Sequence, residues 1–212
     1  MTEVGIDCDD RRLFFPATQR NRQPLVEVLR RWLPGRGQVL ELASGSGEHA
    51  VTFQHQFPGI VWYSSDPDPD HCASVRAWIV HQGLADSMPA PLRLDVRHRP
   101  WPLPHELSKG LDAVVAINLI HIAPWKCSQA LFAEAANWLR PSAPLVLYGP
   151  FRQGGAHTSE SNAAFDRSLR SRCAEWGVRD LEAVQRLASD CGFADALIQA
   201  MPANNLAVAF RR

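Results

Sequence analysis

No sign of charge predominates in this 212-residue sequence: 22 lysines and arginines face 22 aspartates and glutamates, for a formal net charge of zero. Chains that grip nucleic acid or an anionic membrane usually carry a basic excess, so the balance argues against both partners. The five cysteines, Cys8, Cys72, Cys127, Cys173 and Cys191, form no C-x-x-C pair and are odd in number. They read as free thiols of a reducing cytoplasm, not as a disulfide framework. His49, His55, His71 and His81 show no H-x-x-x-H spacing, so no metal is expected. No apolar run approaches a membrane span, and the polar start "MTEVGIDCDDRRLFF" has no apolar signal core. The expectation is a cytoplasmic chain, a monomer or homodimer, with a single domain over 1–212. Within it, residues 1–14 read as a flexible lead-in and 15–35 as an N-terminal helical lid.

What is present is a rhythm. "NRQPLVEVLRRWL" puts Leu25, Val28, Leu29 and Trp32 on one helical face, with Pro24 near the start. After "PGRG", short apolar runs alternate with helical patterns. "QVLELA", "IVWYSSD", "PLRLDV", "LDAVVAINLI" and "APLVLYGPF" read as strands. "GEHAVTFQHQF", "DPDHCASVRAWIVHQG" and "SQALFAEAANWLR" read as helices between them. Such alternation predicts crossover units and a parallel sheet covered on both faces. A polar, arginine-rich stretch from Arg152 to about Asp180 breaks the rhythm. The helix "DLEAVQRLASDCG" and a hairpin, "FADALIQAM" and "LAVAFRR" around "PANN", then close the chain.

"VLELASGSGEHAV", Val39 to Val51, is a strand, a glycine turn and a helix start, the layout of a cofactor cradle. "GSGEHA" fits G-x-G-x-x-G/A, and Asp66 follows Gly45 by 21 residues, so a dinucleotide is open on spacing alone. Gly45 and Gly47 permit a tight turn and close backbone approach. Asp66 could accept from both hydroxyls of a ribose, or simply cap a helix. Three features favour S-adenosylmethionine. Glu41 just before the loop suits a cationic ligand better than a pyrophosphate. Asp95 ends the third strand, where it could accept from an adenine amino group while Val96 offers an N–H. The closing hairpin is the extra antiparallel pair typical of methyltransferase sheets. Ala43 and His49 lie in the same loop and helix start and join the cofactor set.

Seven stretches carry a family resemblance: "RNRQPLVEVL", "VLELASGSGEHAV", "LDVRHRPWP", "DAVVAINLIHIAPW", "LYGPFRQGGAHTSESNAAFDRSLRSR", "WGVRDLEAV" and "MPANNLAVAFRR". Over roughly residues 15 to 212 the chain resembles an uncharacterised class I methyltransferase-like family of proteobacteria with an animal branch. The resemblance implies an α/β, Rossmann-like class I methyltransferase fold. That fold is a seven-stranded, mostly parallel sheet with a C-terminal antiparallel hairpin and helices on both faces, and its cofactor is S-adenosyl-L-methionine. One departure stands before "WG", where Arg172, Cys173 and Ala174 replace the family's usual arginine, aspartate and proline.

The cofactor brings the electrophile in such chemistry, and the protein supplies position and a matched electrostatic site. Asn118, after the fourth strand, is expected near the methyl group, as cofactor ligand and catalytic residue. His121 could take a proton at neutral pH, and His157 is a second catalytic candidate. Arg20 and Asn21 at the first helix could reach the methionine end. Trp125, Arg152, His157, Ser161 and Asn162 form the substrate-side set, with Arg152 pointing to an anionic substrate such as a carboxylate. The reading is thus an S-adenosylmethionine-dependent methyltransferase of a small molecule. The alternatives are an NAD-type oxidoreductase and a non-catalytic module that holds S-adenosylmethionine. Against base methylation, the fourth strand reads "NLIH" and not "[DNS]-P-P-[YFW]".

Overall fold

The computed structural model describes residues 10–194 and 196–212. Parallel strands β1 (Gly37–Leu42), β2 (Ile60–Asp66), β3 (Leu92–Arg93), β4 (Ala113–Ile117) and β5 (Pro144–Gly149) alternate with helices α2 (Glu48–Gln56), α3 (Pro69–His81) and α4 (Trp125–Trp138). Helix α1 (Pro16–Trp32) precedes them, and α6 (Leu181–Asp190), β9 (Leu197–Met201) and β10 (Asn205–Arg211) follow. The seven strands lie in the order β3-β2-β1-β4-β5-β10-β9, with β10 antiparallel to both neighbours. This is the expected class I methyltransferase-like sheet, hairpin included.

Strand alternation divides the core. Leu40, Leu42, Val114, Ala116, Leu145 and Leu147 pack with Leu131 and Phe132 of α4 and Val184 of α6. Val39, Val115 and Val146 pack with Leu25 and Leu29 of α1, Phe53 of α2 and Val75 of α3. Each interior strand is therefore apolar on both faces, as a parallel sheet sandwiched by helices requires. The strand carboxyl ends of β1, β2, β4 and β5 come out along one edge, where ligands of open α/β sheets bind.

Three boundaries differ from the sequence pattern. Helix α1 begins at Pro16, inside the span expected for the lid, so Asn21 lies within it and Pro24, expected near its start, lies mid-helix. Pro16 is a good first helical residue. The first buried positions of α1, Thr18 and Asn21, are polar, which hides the helix's start from an apolar pattern. "PLRLDV" keeps only a two-residue strand at the sheet edge. The polar stretch after β5 is not bare overhang. It holds β6 (Phe151–Gln153), β7 (Ala156–His157) and β8 (Arg179–Asp180), which form a small separate sheet, and α5 (Glu160–Arg172), capped by the Ser159 side chain.

Residues 1–9 of the expected lead-in, with Cys8, lie outside the described residues. Residues 12–14 are not loose. The Leu13 N–H donates to Ser74 Oγ at 2.8 Å, and Trp78 Nε1 donates to the Leu13 carbonyl. Phe14 packs edge-on to Trp78, and the Arg12 guanidinium lies over the same ring. Apolar and cation–π contacts on α3 tie this segment down as a strap.

Candidate functional site

The loops leaving β1, β2, β3 and β4, together with the start of α1, enclose a cleft of about 520 Å³ at the strand carboxyl edge. That is the size of a small-molecule or cofactor site. It brings together Asn21, Glu41, Ala43, Gly45, His49, Asp66, Asp95, Val96 and Asn118, nine of the sequence-predicted cofactor residues. Local backbone shape makes the meeting possible. Ala43 and Asn118, just past the ends of adjacent strands β1 and β4, both take left-handed φ, 55° and 60°. Non-glycine residues hold such angles at a cost of about 1 kcal/mol or more, a strain that concentrates at ligand sites.

Gly45 follows Ala43 with a left-handed φ of 55°, and a side chain there would meet the Phe15 ring at 3.0 Å. Its N–H donates to Asp66 Oδ2 at 3.0 Å, which fixes the loop against β2. Gly47 serves a different purpose from the one expected. It does not line the cleft; a Cβ there would lie 2.8 Å from Val75 Cα, so Gly47 lets α2 and α3 pack closely.

Three carboxylates share the cleft, each in a distinct environment. Glu41 is 1% exposed, and burial pushes its pKa up to about 7, partly offset by the Trp62 Nε1 hydrogen bond at 2.9 Å. A carboxylate so desolvated is held ready for a cation. Asp66 accepts from Gly45 N–H on one oxygen and from Asp68 N–H on the other, with His71 Nδ1 at 3.1 Å. Asp66 thus braces the loop as well as facing the cleft. Asp66 is not the N-cap of α3; Asp68 is, its side chain accepting from the Asp70 N–H. Asp95 is gripped by Arg97 through both oxygens, which holds its carboxyl well below the usual range. His49 sits behind them with Nε2 2.7 Å from Asn21 Oδ1, stacked on Phe53. Burial, and then the Arg22 charge, lower its pKa to about 3, so its ring is neutral at physiological pH.

A second cleft, about 450 Å³, adjoins the first and shares Ala17, Asn21 and Asn118 with it. Arg20, Tyr148, Ser161, Asn162, Phe165 and Asn205 add to its walls. Arg20, expected beside the cofactor, therefore belongs to this second space. Ser161 and Asn162 are here as expected of substrate-side residues. Asn162 is committed to architecture as well: its amide donates to Thr158 Oγ1 and to the Asn204 carbonyl, tying α5 to the turn before β10.

Besides Gly47, four predicted residues lie away from both clefts. His121 is fully buried, edge-on to Phe151, and its Nδ1 accepts from the Arg179 N–H at 3.3 Å. Burial, with the nearby Arg179 charge, lowers its pKa to about 3, so it does not take up a proton at neutral pH. The chain turns back into the protein after Asn118, and the next turn carries His121 into the core. His157 stands against α5 with Nε2 3.6 Å from Asp166 Oδ2. Arg152 donates to the Gly155 carbonyl at 2.7 Å and pairs with Asp180 at 3.3 Å, holding the small sheet together. Trp125 begins α4, packed on the core with the Arg179 guanidinium over its ring.

Sequence reasoning missed Phe15, Thr18, His71, Arg97, Cys127 and Trp176, all of which line the first cleft. Phe15 and Arg97 left a local signal: an aromatic just before a helix-starting proline, and an arginine two residues after a strand-end aspartate. Trp176 left none, because only tertiary folding brings the segment after α5 back to the cleft.

Comparison with known proteins adds the following. A family model described as "Protein of unknown function (DUF938)" matches residues 12–212. The fold is similar to that of a putative O-methyltransferase from Nostoc punctiforme, with a TM-score of 0.79 at 12% identity, covering 93% of this chain and 57% of that one. It is also similar to an O-methyltransferase family protein from Burkholderia thailandensis (TM-score 0.73, 18% identity, 92% and 57% covered). Human N-acetylserotonin methyltransferase in complex with SAM is a third (TM-score 0.69, 16% identity, 90% and 54% covered). The chain spans a little over half the length of these structures, and identities this low speak for the fold alone.

Proposed function

We propose that this chain, which belongs to the DUF938 family, is an S-adenosylmethionine-dependent methyltransferase acting on a small molecule. The observation that carries the reading is Glu41: a carboxylate buried at the end of β1, with a pKa near 7, facing a cleft it shares with Asp66 and Asp95. Burying a carboxylate is costly without a counter-charge, and a sulfonium or ammonium supplies one where a pyrophosphate would repel. The cleft's other groups fit the same ligand. Asp66 retains lone pairs for ribose hydroxyls. Leu94, Val96 and Ile122 offer apolar wall for a flat base. Phe15 and α1 cover the glycine loop from above, as a lid over the methionine end would.

S-adenosylmethionine, held by Glu41, Asp66 and Asp95, would supply an electrophilic methyl carbon, its sulfur keeping the electron pair of the carbon–sulfur bond when an acceptor's lone pair takes the methyl. The chain's own residues then act by position. Asn118 stands where the two clefts meet, so its amide can orient the acceptor. Neither His49 nor His121 is basic enough to abstract a proton from an unactivated acceptor.

Calorimetry of the full chain with S-adenosylhomocysteine, S-adenosylmethionine and NADH in parallel tests the reading. Binding of the first two with no response to NADH is expected. Absence of heat with both S-adenosyl ligands, with no thermal shift, would discard it.

A further inference from the structure

We infer that the second cleft is an anion seat: it receives a small carboxylate-bearing acceptor whose negative group pairs with Arg20, while Asn118 and Asn21 present the acceptor to the first cleft. The inference rests on the methyltransferase reading for its word "acceptor", and on the cleft alone for its charge.

The two spaces differ in sign. The first is lined by Glu41, Asp66 and Asp95, with Arg97 already paired to Asp95. Among the described residues, no aspartate or glutamate lines the second, and Arg20 is its single charged group. Other arginines around this end of the molecule have partners: Arg152 with Asp180, Arg167 with Glu160 and Arg170 with Asp166. Arg20 has no ion pair or hydrogen bond among the described residues. An arginine beside a concave, acid-free surface is suited to a carboxylate, which its planar fork can bind through two parallel hydrogen bonds. A cationic ligand entering the same space would meet Arg20 and no counter-charge.

The remaining walls suit the rest of such a ligand. The Tyr148 hydroxyl faces the side chains of Asn21 and Asn205 and lies within the influence of Arg20. Phe165 and the rings of Pro150 and Pro202 provide flat apolar surface. The combination is an apolar slot with one cation and a few neutral donors, which is how small organic acids are held. The anionic substrate expected from the sequence is thus kept, but its partner moves from Arg152, which the small sheet uses, to Arg20 at the other side of the clefts.

Fragments of one shape and three charges test this: benzoate, benzamide and benzamidinium, followed by saturation-transfer NMR on S-adenosylhomocysteine-loaded protein. Benzoate should bind at millimolar concentration and the other two more weakly. Arg20→Gln should lower benzoate affinity at least tenfold, while Arg152→Gln leaves it unchanged and neither alters S-adenosylhomocysteine affinity. Benzamidinium binding as well as benzoate, benzoate binding that survives Arg20→Gln, or no benzoate binding at all would each overturn the anion seat. Failure to load S-adenosylhomocysteine would strike the methyltransferase reading instead, and benzoate titrated into the unloaded protein would still decide the seat.

Discussion

The two clefts meet at Asn21 and Asn118 yet differ in charge and in how they are built. The first is acidic, and its floor comes from loops that directly follow strands β1, β2 and β4, so short stretches such as "VLELASGSG" carry whole walls of it. The second has, among the described residues, one cation and no acid, and its walls come from α1, the end of β5, α5 and the turn before β10. A site made of strand-end loops is encoded locally. A site made where four distant segments converge is not. The contrast also orders the interactions: the first cleft is braced internally by Asp66, Trp62 and Arg97, whereas Arg20 in the second has no ion pair among the described residues.

That contrast can be broken at Glu41. Its folded-state pKa of about 7 lies above the ordinary 4.5, so ionisation opposes folding. Glu41's contribution to stability is fully present below pH 4.5 and is lost as pH rises through 7, by about 3 kcal/mol at most. Glu41→Gln should remove this slope, leaving the unliganded protein more stable at pH 8 and little changed at pH 4.5 in urea titrations.

The same substitution should weaken S-adenosylmethionine binding about tenfold to a hundredfold, or about 1.4–2.7 kcal/mol. In the wild type, affinity measured by calorimetry should fall as pH drops below 7, because a proton must leave Glu41 before the cation is paired; Glu41→Gln should show no such fall. An affinity independent of pH in the wild type would mean that Glu41 does not meet the ligand's charge.

Phe15 sharpens the comparison from the lid side. Its N–H is held by Glu48 Oε2 at 2.8 Å and its ring covers Gly45. Phe15→Ala should lower S-adenosylhomocysteine affinity by about 1 kcal/mol, read by calorimetry, through lost apolar cover. Fragment binding in the second cleft, which Phe15 does not line, should persist.

Arg152 is expected to give the smallest effect. Arg152→Ala should leave cofactor affinity intact and cost about 0.5–1 kcal/mol of stability, since the pair it loses is partly solvated. Loss of ligand binding in that variant, with the fold retained, would return Arg152 to the site.

Some of this was readable along the chain and some was not. The alternation of apolar runs with amphipathic segments determined the layered sheet and its closing hairpin, since side-chain periodicity and glycine turns act over a few residues. The carboxylates Glu41, Asp66 and Asp95 were legible because strand ends in such a sheet share one edge. The fates of His121 and Arg152 were not. Both have types that suggest chemistry, but the turn after Asn118 drives the imidazole into apolar core, and the small sheet gives the guanidinium an aspartate. Nor could the chain alone show that Arg20, inside the helix expected over 15–35, lines the cleft beside α5 rather than the one over the glycine loop. Local pattern determined which strand-end carboxylates meet at the first cleft. Burial and long-range pairing, which depend on every segment at once, decided which titratable groups keep a free charge and which cleft each one faces.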